Sequence, residues 1–201
     1  MNTYLGISAE LGPDDVSADV AGNTDWLFLE GYLFDKNQGK AAFLKAAKAC
    51  HAGGGRAGIA LSDPFCVNRH RDDFRALVRD QMDYVIGNVH EWEALYQCDI
   101  DAALAQARSE CRVVVCTRSG DPVLLFRGDE VAEAAVNRVV PVDATGAGDQ
   151  FAAGFLYGMA TGQPLAVAGR MGCIAATEVI GHFGARPHVD VKALFLAEGL
   201  V

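Results

Sequence analysis

Apolar segments of strand length recur along the chain, at residues 26–29, 57–61, 84–86 and 113–116. Segments with helical spacing of apolar residues separate most of them. The first of these covers residues 40–51 and ends before a run of three glycines, which indicates a loop after a helix. Because strands that alternate with helices are joined by crossovers, this order predicts an α/β domain with a mainly parallel central sheet.

The pattern changes towards both ends of the chain. Residues 3–8 are strand-like, and residues 123–126 and 131–136 alternate around a Gly-Asp pair, which predicts a hairpin. Helical spacing dominates from Ala147 onward. No repeat, low-complexity segment or linker divides the sequence, so residues 1–201 are predicted to form one unit.

Composition narrows the class of protein. The chain has 201 residues, of which 51% are hydrophobic and 21% charged, and this excludes a disordered protein. A net charge of −9 without a basic run argues against nucleic-acid or membrane partners. No signal-peptide pattern or bilayer-length apolar stretch occurs, so we expect a cytoplasmic protein. The six cysteines lack metal-ligand spacing and are predicted to be buried free thiols.

Residues 142–155 carry the most informative pattern, in which small residues lead into an apolar helix. At such a junction the backbone N–H groups of Gly146, Ala147 and Gly148 can converge on one point, where the helix dipole adds positive potential. Asp149 would stand beside this anion hole, placed to accept a proton from a hydroxyl that attacks a phosphate. Alternatively, Asp149 only favours the helix dipole and the glycines only allow a tight turn.

The order of residues in this segment favours the chemical interpretation. Residues 143–154 read DATGAGDQFAAG, which resembles the C-terminal signature of the ribokinase-like PfkB kinases. The resemblance implies a three-layer α/β/α fold, with Asp149 as general base and the amides of residues 146–148 as transition-state anion hole. It also implies that Asp143 and Thr145 are candidate ligands of a monovalent cation such as K⁺. Ala144 departs from the family, which more often has Thr, Pro, Ser or Val there.

Two further segments resemble motifs of the same family. Residues 88–91 read NVHE and resemble its N-x-x-E motif, in which the glutamate helps to organise Mg²⁺ and phosphate. Mg²⁺ prefers oxygen ligands and keeps several waters, so Glu91 is expected to act through water. Asn88 and Glu91 also fit a helix capping box, and both roles are compatible. Residues 113–120 resemble the nucleotide-binding T-x-G turn, with Ser119 in place of glycine, which implies that Thr117 and Gly120 contact ATP.

Family members generally carry a further N-terminal region with early core strands, a lid sheet, a Gly-Gly motif and an aspartate that orients the acceptor. None of these is recognisable here, so the resemblance implies that residues 1–201 are the C-terminal portion of a kinase domain, and Met1 is expected to be an internal methionine. An exposed sheet edge and apolar surface are then expected, and with them low solubility or pairing into a homodimer.

The resemblance implies an ATP-dependent transfer of the γ-phosphoryl group to a hydroxymethyl group of a nucleoside or sugar. Residues 148–155 and 169–173 resemble bacterial adenosine kinase-like proteins, which makes adenosine the first expected acceptor. A sugar of the fructose, ribose or ketodeoxygluconate type is the second. A truncated, non-catalytic remnant that binds a nucleotide or a partner chain is the alternative. A dinucleotide-binding oxidoreductase is set aside because no GxGxxG follows an early strand.

Overall fold

A computed structural model describes residues 4–201 of the chain. The chain divides into two compact units, residues 1–114 and 115–201. Among the described residues six strands form one sheet in sequence order: β1 (Trp26–Glu30), β2 (Arg56–Ala60), β3 (Tyr84–Asn88), β4 (Val113–Arg118), β5 (Asp121–Arg127) and β6 (Glu130–Ala134). The α/β class predicted from the sequence is confirmed.

The helices alternate with the strands in the first unit and follow them in the second. In chain order they are α1 (Ala18–Gly22), α2 (Asn37–Ala52), α3 (Pro64–Arg69), α4 (Arg71–Gln81), α5 (Val89–Tyr96), α6 (Ile100–Glu110), α7 (Ala147–Ala160), α8 (Leu165–Val179) and α9 (Val191–Ala197). Short 3₁₀ helices occupy Gly6–Glu10, Pro13–Asp15 and Gly31–Asp35. None of the helices within residues 4–201 is long and apolar enough to cross a bilayer.

The first unit is built on three parallel strands. Leu29 of β1 stands opposite Ile59 of β2, and Ile59 stands opposite Val85 of β3. All three side chains are buried. The Tyr84 ring packs so closely over Gly58 that a β-carbon there would lie 2.3 Å from the ring. This buried, β-branched and aromatic composition explains why the strands read as continuous apolar segments.

The second unit combines a hairpin with packed helices. Strands β5 and β6 are antiparallel, with Arg127 opposite Glu130. Helices α7 and α8 pack closely. A β-carbon at Gly154 would lie only 2.5 Å from a backbone atom of α8, and one at Gly158 would lie only 2.7 Å from Ala168. The small residues that gave this segment its sequence signature are therefore needed for helix contact as well.

Most of the predicted elements are confirmed, with shifted ends. The strands near residues 26, 57, 84 and 113, the 40–51 helix and the hairpin are all present. The strand-like reading of residues 3–8 is wrong where it can be checked: residues 6–8 lie in a 3₁₀ helix, and Gly6 has a φ of +57° that an extended strand excludes. Thr3 lies outside the described residues. The six cysteines are free as expected, and all but Cys98 are buried.

Candidate active site

The turn before α7 is held in a conformation that favours glycine. Gly146 is the N-cap of α7, with a φ of +83° in the left-handed region. A β-carbon at Gly146 would lie 2.7 Å from the β-carbon of Ala185. Conformation and close packing both select glycine at this position, so the turn has little freedom to rearrange.

Some backbone amides of this turn have partners and others do not. The Ala147 N–H donates to the Ala144 carbonyl at 3.2 Å, so this amide turns back into the loop. Within residues 4–201 the amides of Gly146, Gly148 and Asp149 have no protein acceptor. A β-carbon built on Gly148 would meet nothing within 4 Å. The Ala147 amide is bonded within the turn, so it is not open. The open amides are those of Gly146, Gly148 and Asp149, whereas the sequence predicted those of Gly146, Ala147 and Gly148.

Asp149 occupies the first turn of α7, three residues after the cap. Its side chain is exposed, and among the described residues its carboxylate has no hydrogen-bond or ion-pair partner. The helix dipole favours an acidic group at this position. A carboxylate without a protein donor, next to open amides, is also free to accept a proton from a bound hydroxyl.

Asp143 braces the same turn from its other side. Its Oδ1 accepts the Thr145 N–H at 2.9 Å, and its Oδ2 accepts the Gly184 N–H at 3.2 Å. The hydrogen bond from the Thr145 side chain, followed by those from the two amides, holds the pKa of Asp143 below its usual range. The ionised carboxylate therefore joins the turn before α7 to a second loop near Gly184.

The segment at residues 88–91 forms a capping box at the start of α5, as predicted. The Glu91 N–H donates to Asn88 Oδ1 at 3.0 Å, and the Asn88 N–H donates to Glu91 Oε2 at 2.8 Å. The Asn88 side-chain amide donates to Glu91 Oε1 at 2.7 Å. The structural role of this pair is confirmed, while the Mg²⁺ role of Glu91 stays a prediction.

Glu91 has an unusual electrostatic setting for a carboxyl group. It is only 6% exposed, and this burial raises its pKa to about 7, with the charges of Asp63 and Glu30 adding to the effect and the Asn88 N–H opposing it. A cation nearby would favour the ionised form. Across residues 4–201 no three acidic, His or Cys side chains gather to hold a metal. Because Mg²⁺ prefers oxygen ligands and keeps several of its waters, a Mg²⁺ ion near Glu91 would be held in part through water.

The predicted nucleotide turn follows β4. Thr117 is half-buried near the end of the strand, and Gly120 is exposed with nothing within 4 Å of a β-carbon built there. Ser119 adopts a φ of +54°, in the left-handed region. This conformation explains why glycine is usual at that position in the T-x-G turn.

The predicted site residues fall into two groups. The second unit contains Asp143, Thr145 and residues 146–149 in one turn, together with Thr117 near the end of β4 and Gly120 after it. Asn88 and Glu91 form the capping box of the first unit. Sequence reasoning missed the loop at residues 181–188, which contacts the turn. Its glycines and proline are typical of a loop, but nothing in the sequence indicated that this loop would contact the turn before α7.

Comparisons with known proteins agree with the sequence motifs. A probable sugar kinase from Rhizobium etli CFN 42 is 38% identical, with a TM-score of 0.93 over 96% of this chain. Adenosine kinase from Sinorhizobium meliloti is 39% identical, with a TM-score of 0.90 over 94% of this chain. The chain spans 59% of each of these two proteins.

A ribokinase-like protein of E. coli, solved in complex with ATP and Mg²⁺, shares the fold at 17% identity, with a TM-score of 0.85 over 94% of this chain and 64% of its own. The family model for pfkB family carbohydrate kinases matches residues 1–192, nearly the whole sequence. The chain therefore belongs to the PfkB family of carbohydrate kinases.

Proposed function

We propose that this chain carries the phosphate-handling site of an ATP-dependent kinase that phosphorylates a hydroxymethyl group of a nucleoside or sugar. The observation that carries the proposal is the turn before α7. There, open amides of Gly146, Gly148 and Asp149 lie in one turn with an exposed carboxylate that has no protein partner. Membership of a kinase family supports phosphoryl transfer as the use of this turn.

The residues of the turn and the other predicted site residues have separate roles in such a reaction. The Asp149 carboxylate accepts the proton of the attacking hydroxyl. The open amides and the positive end of α7 stabilise negative charge on the phosphoryl group as it transfers. Mg²⁺ bound with ATP would supply neutralisation of the phosphate charge, and Glu91 would hold it through water. Thr117 and Gly120 contact the nucleotide, and Asp143 with Thr145 borders a monovalent cation.

Adenosine is the first acceptor that we propose, and a sugar is the second. The two relatives near 40% identity support both choices, since one is described as an adenosine kinase and the other as a probable sugar kinase. The two acceptors share a primary hydroxyl group, which is the part that the turn before α7 would contact. The acceptor must therefore be decided by assay.

The test measures ADP release from Mg-ATP with adenosine and a panel of sugars. The chain is compared with Asp149→Asn and with a control, Asp101→Asn, which changes an exposed carboxylate in the first turn of α6. Both substitutions remove the same helix-dipole contact, so each is expected to cost only about 0.3–1 kcal/mol of stability. Loss of a general base lowers kcat by about 100-fold or more.

We expect turnover with one acceptor, lost in Asp149→Asn and kept in Asp101→Asn. Equal activity of all three proteins would exclude Asp149 as the base. ATP binding without turnover, by calorimetry on the folded chain, would instead favour a non-catalytic nucleotide-binding remnant.

A further inference from the structure

A carboxylate that is largely shielded from solvent lies at the C-terminal end of α8. Glu178, in the last turn of that helix, has a side chain that is only 10% exposed. Its Oε1 accepts the His188 N–H at 2.9 Å and lies 3.3 Å from His182 Nε2. Its Oε2 is buried and, among the described residues, has no hydrogen-bond partner. One oxygen of this carboxylate therefore anchors both ends of the intervening loop.

That loop, residues 181–188, is here called the bracing loop because it contacts the turn before α7. The Gly184 N–H donates to Asp143 Oδ2 at 3.2 Å, and the Gln150 side-chain amide reaches the Ala185 carbonyl at 3.5 Å. The Ala185 side chain also fills the space beside Gly146. The loop thus touches the turn before its cap, at its cap and within the helix.

The bracing loop has few anchors of its own. Most of its residues are exposed, and Phe183 is 78% exposed, so no buried apolar side chain fixes the middle of the loop. The rings of His182 and His188 stack with centroids 3.5 Å apart, which holds the loop ends together above Glu178. The position of the loop therefore depends mainly on polar contacts. Glu178 lies at its base, where the Ile180 carbonyl also accepts the Val142 N–H at 2.8 Å, and Asp143 lies at its tip.

We propose that Glu178 is a positioning residue for phosphoryl transfer, and that it fixes the open amides of the turn before α7 through the bracing loop and Asp143. This inference rests on the proposed function of that turn. A buried carboxylate oxygen without a donor carries a desolvation cost. The other oxygen accepts the His188 N–H and lies beside His182 Nε2, which offsets part of that cost and orders a loop that lies against the turn.

Hydrogen exchange followed by mass spectrometry tests the physical link without requiring turnover. In Glu178→Ala we expect exchange to rise about tenfold both in residues 181–188 and in residues 142–150, which contain the turn. Glu178→Gln keeps an oxygen that accepts the His188 N–H and should restore protection in both segments. The control Glu198→Ala removes an ion pair with Arg170, which lies on α8 as Glu178 does. It should leave exchange in both segments unchanged.

A second variant covers the case in which Glu178→Ala does not fold. His182→Phe keeps an aromatic ring on His188 and removes one contact to Glu178, so exchange in residues 142–150 should rise by about threefold. If exchange rises in the bracing loop while residues 142–150 stay protected, Glu178 anchors only the loop and the proposal is overturned.

Kinetics supplies the readout that distinguishes positioning from general stability. We expect kcat to fall about tenfold in Glu178→Ala with the KM for ATP nearly unchanged, and to recover in Glu178→Gln. A parallel rise in KM without loss of kcat would contradict the proposal. If the unmodified chain shows no turnover, the proposed function fails while the exchange result still decides whether Glu178 fixes the turn.

Discussion

Helices α5 and α7 begin with the same spacing between the N-cap and an acidic residue, but the first turn is closed by side-chain hydrogen bonds in α5 and open in α7. Each has an acidic residue three positions after the N-cap, Glu91 in α5 and Asp149 in α7. In α5 the Asn88 side chain and Glu91 satisfy each other's amides, and Glu91 becomes buried. In α7 the cap is Gly146, which has no side chain, and Asp149 stays exposed beside open amides.

The residue at the cap decides which outcome occurs. An asparagine cap in the extended conformation accepts the N–H of the third residue and draws the acidic side chain back onto the chain. A left-handed glycine gives that side chain no cap partner. A closed helix start contributes stability, whereas an open one leaves amides available for a ligand.

The largest expected effect comes from adding a side chain at Gly146, the cap of the open turn. Gly146→Ala introduces a left-handed alanine and a contact with Ala185 at 2.7 Å, so we expect a loss of about 3 kcal/mol in unfolding free energy. The matched control is Gly162→Ala, at φ +77° with open space around it, which should lose about 1 kcal/mol. Denaturant unfolding measures both. Equal losses would show that the contact with Ala185 does not constrain the turn.

The second largest effect concerns the pKa of Glu91, the buried carboxyl group in the first turn of α5. The pKa of Glu91 rises from 4.5 to about 7 on folding, so its neutral form favours the folded state at low pH. That contribution is present below pH 4.5 and is lost as pH rises through 7. Relative to Glu91→Gln, which keeps a capping-box side chain, the chain should lose about 3 kcal/mol over this window.

The control for this pH effect is Glu93→Gln, on the same helix with a side chain that is 38% exposed. Urea unfolding at several pH values provides the measurement. A stability difference between the chain and Glu91→Gln that stays flat from pH 4.5 to 8 would mean that Glu91 titrates normally despite its burial.

The smallest effect compares two side-chain caps. Asn88→Ala removes one acceptor for the Glu91 N–H and one donor to the Glu91 carboxylate, whereas Asp99→Ala removes only the acceptor for the Ala102 N–H at the start of α6. Loss of a cap costs about 1 kcal/mol, and the second bond should add about 0.5–1 kcal/mol to the Asn88 variant. Equal destabilisation in thermal unfolding would indicate that the closed turn gains nothing from its reciprocal bonds.

Several features of fold and site could be read from the sequence because their signals are local. Residues 57–61 and 84–86 were recognisable as strands because burial on both faces makes a strand continuously apolar. The capping box at Asn88 and Glu91 followed from spacing alone, since both partners belong to one turn of helix. The glycine-rich turn before α7 was recognisable in the same way.

Other features are details of the backbone path that the pattern of apolar and polar residues does not record. Residues 6–8, part of a segment with a strand-like pattern, lie in a 3₁₀ helix, in which Gly6 adopts a left-handed φ that an extended strand excludes. The inward turn of the Ala147 amide was not visible either, since it depends on the path of the preceding loop. Short-range patterns do not determine such details.

By itself, the sequence determined the order of strands and helices, the family and the turn that is proposed to bind phosphate. Only the tertiary structure showed that Gly146 lies against Ala185 and that Glu178 anchors a loop joined to Asp143. The reason is physical. Periodicity and capping act within a few residues, whereas the Glu178 contact joins residues 10 apart and the Asp143 contact joins residues 41 apart, through packing that no local pattern records.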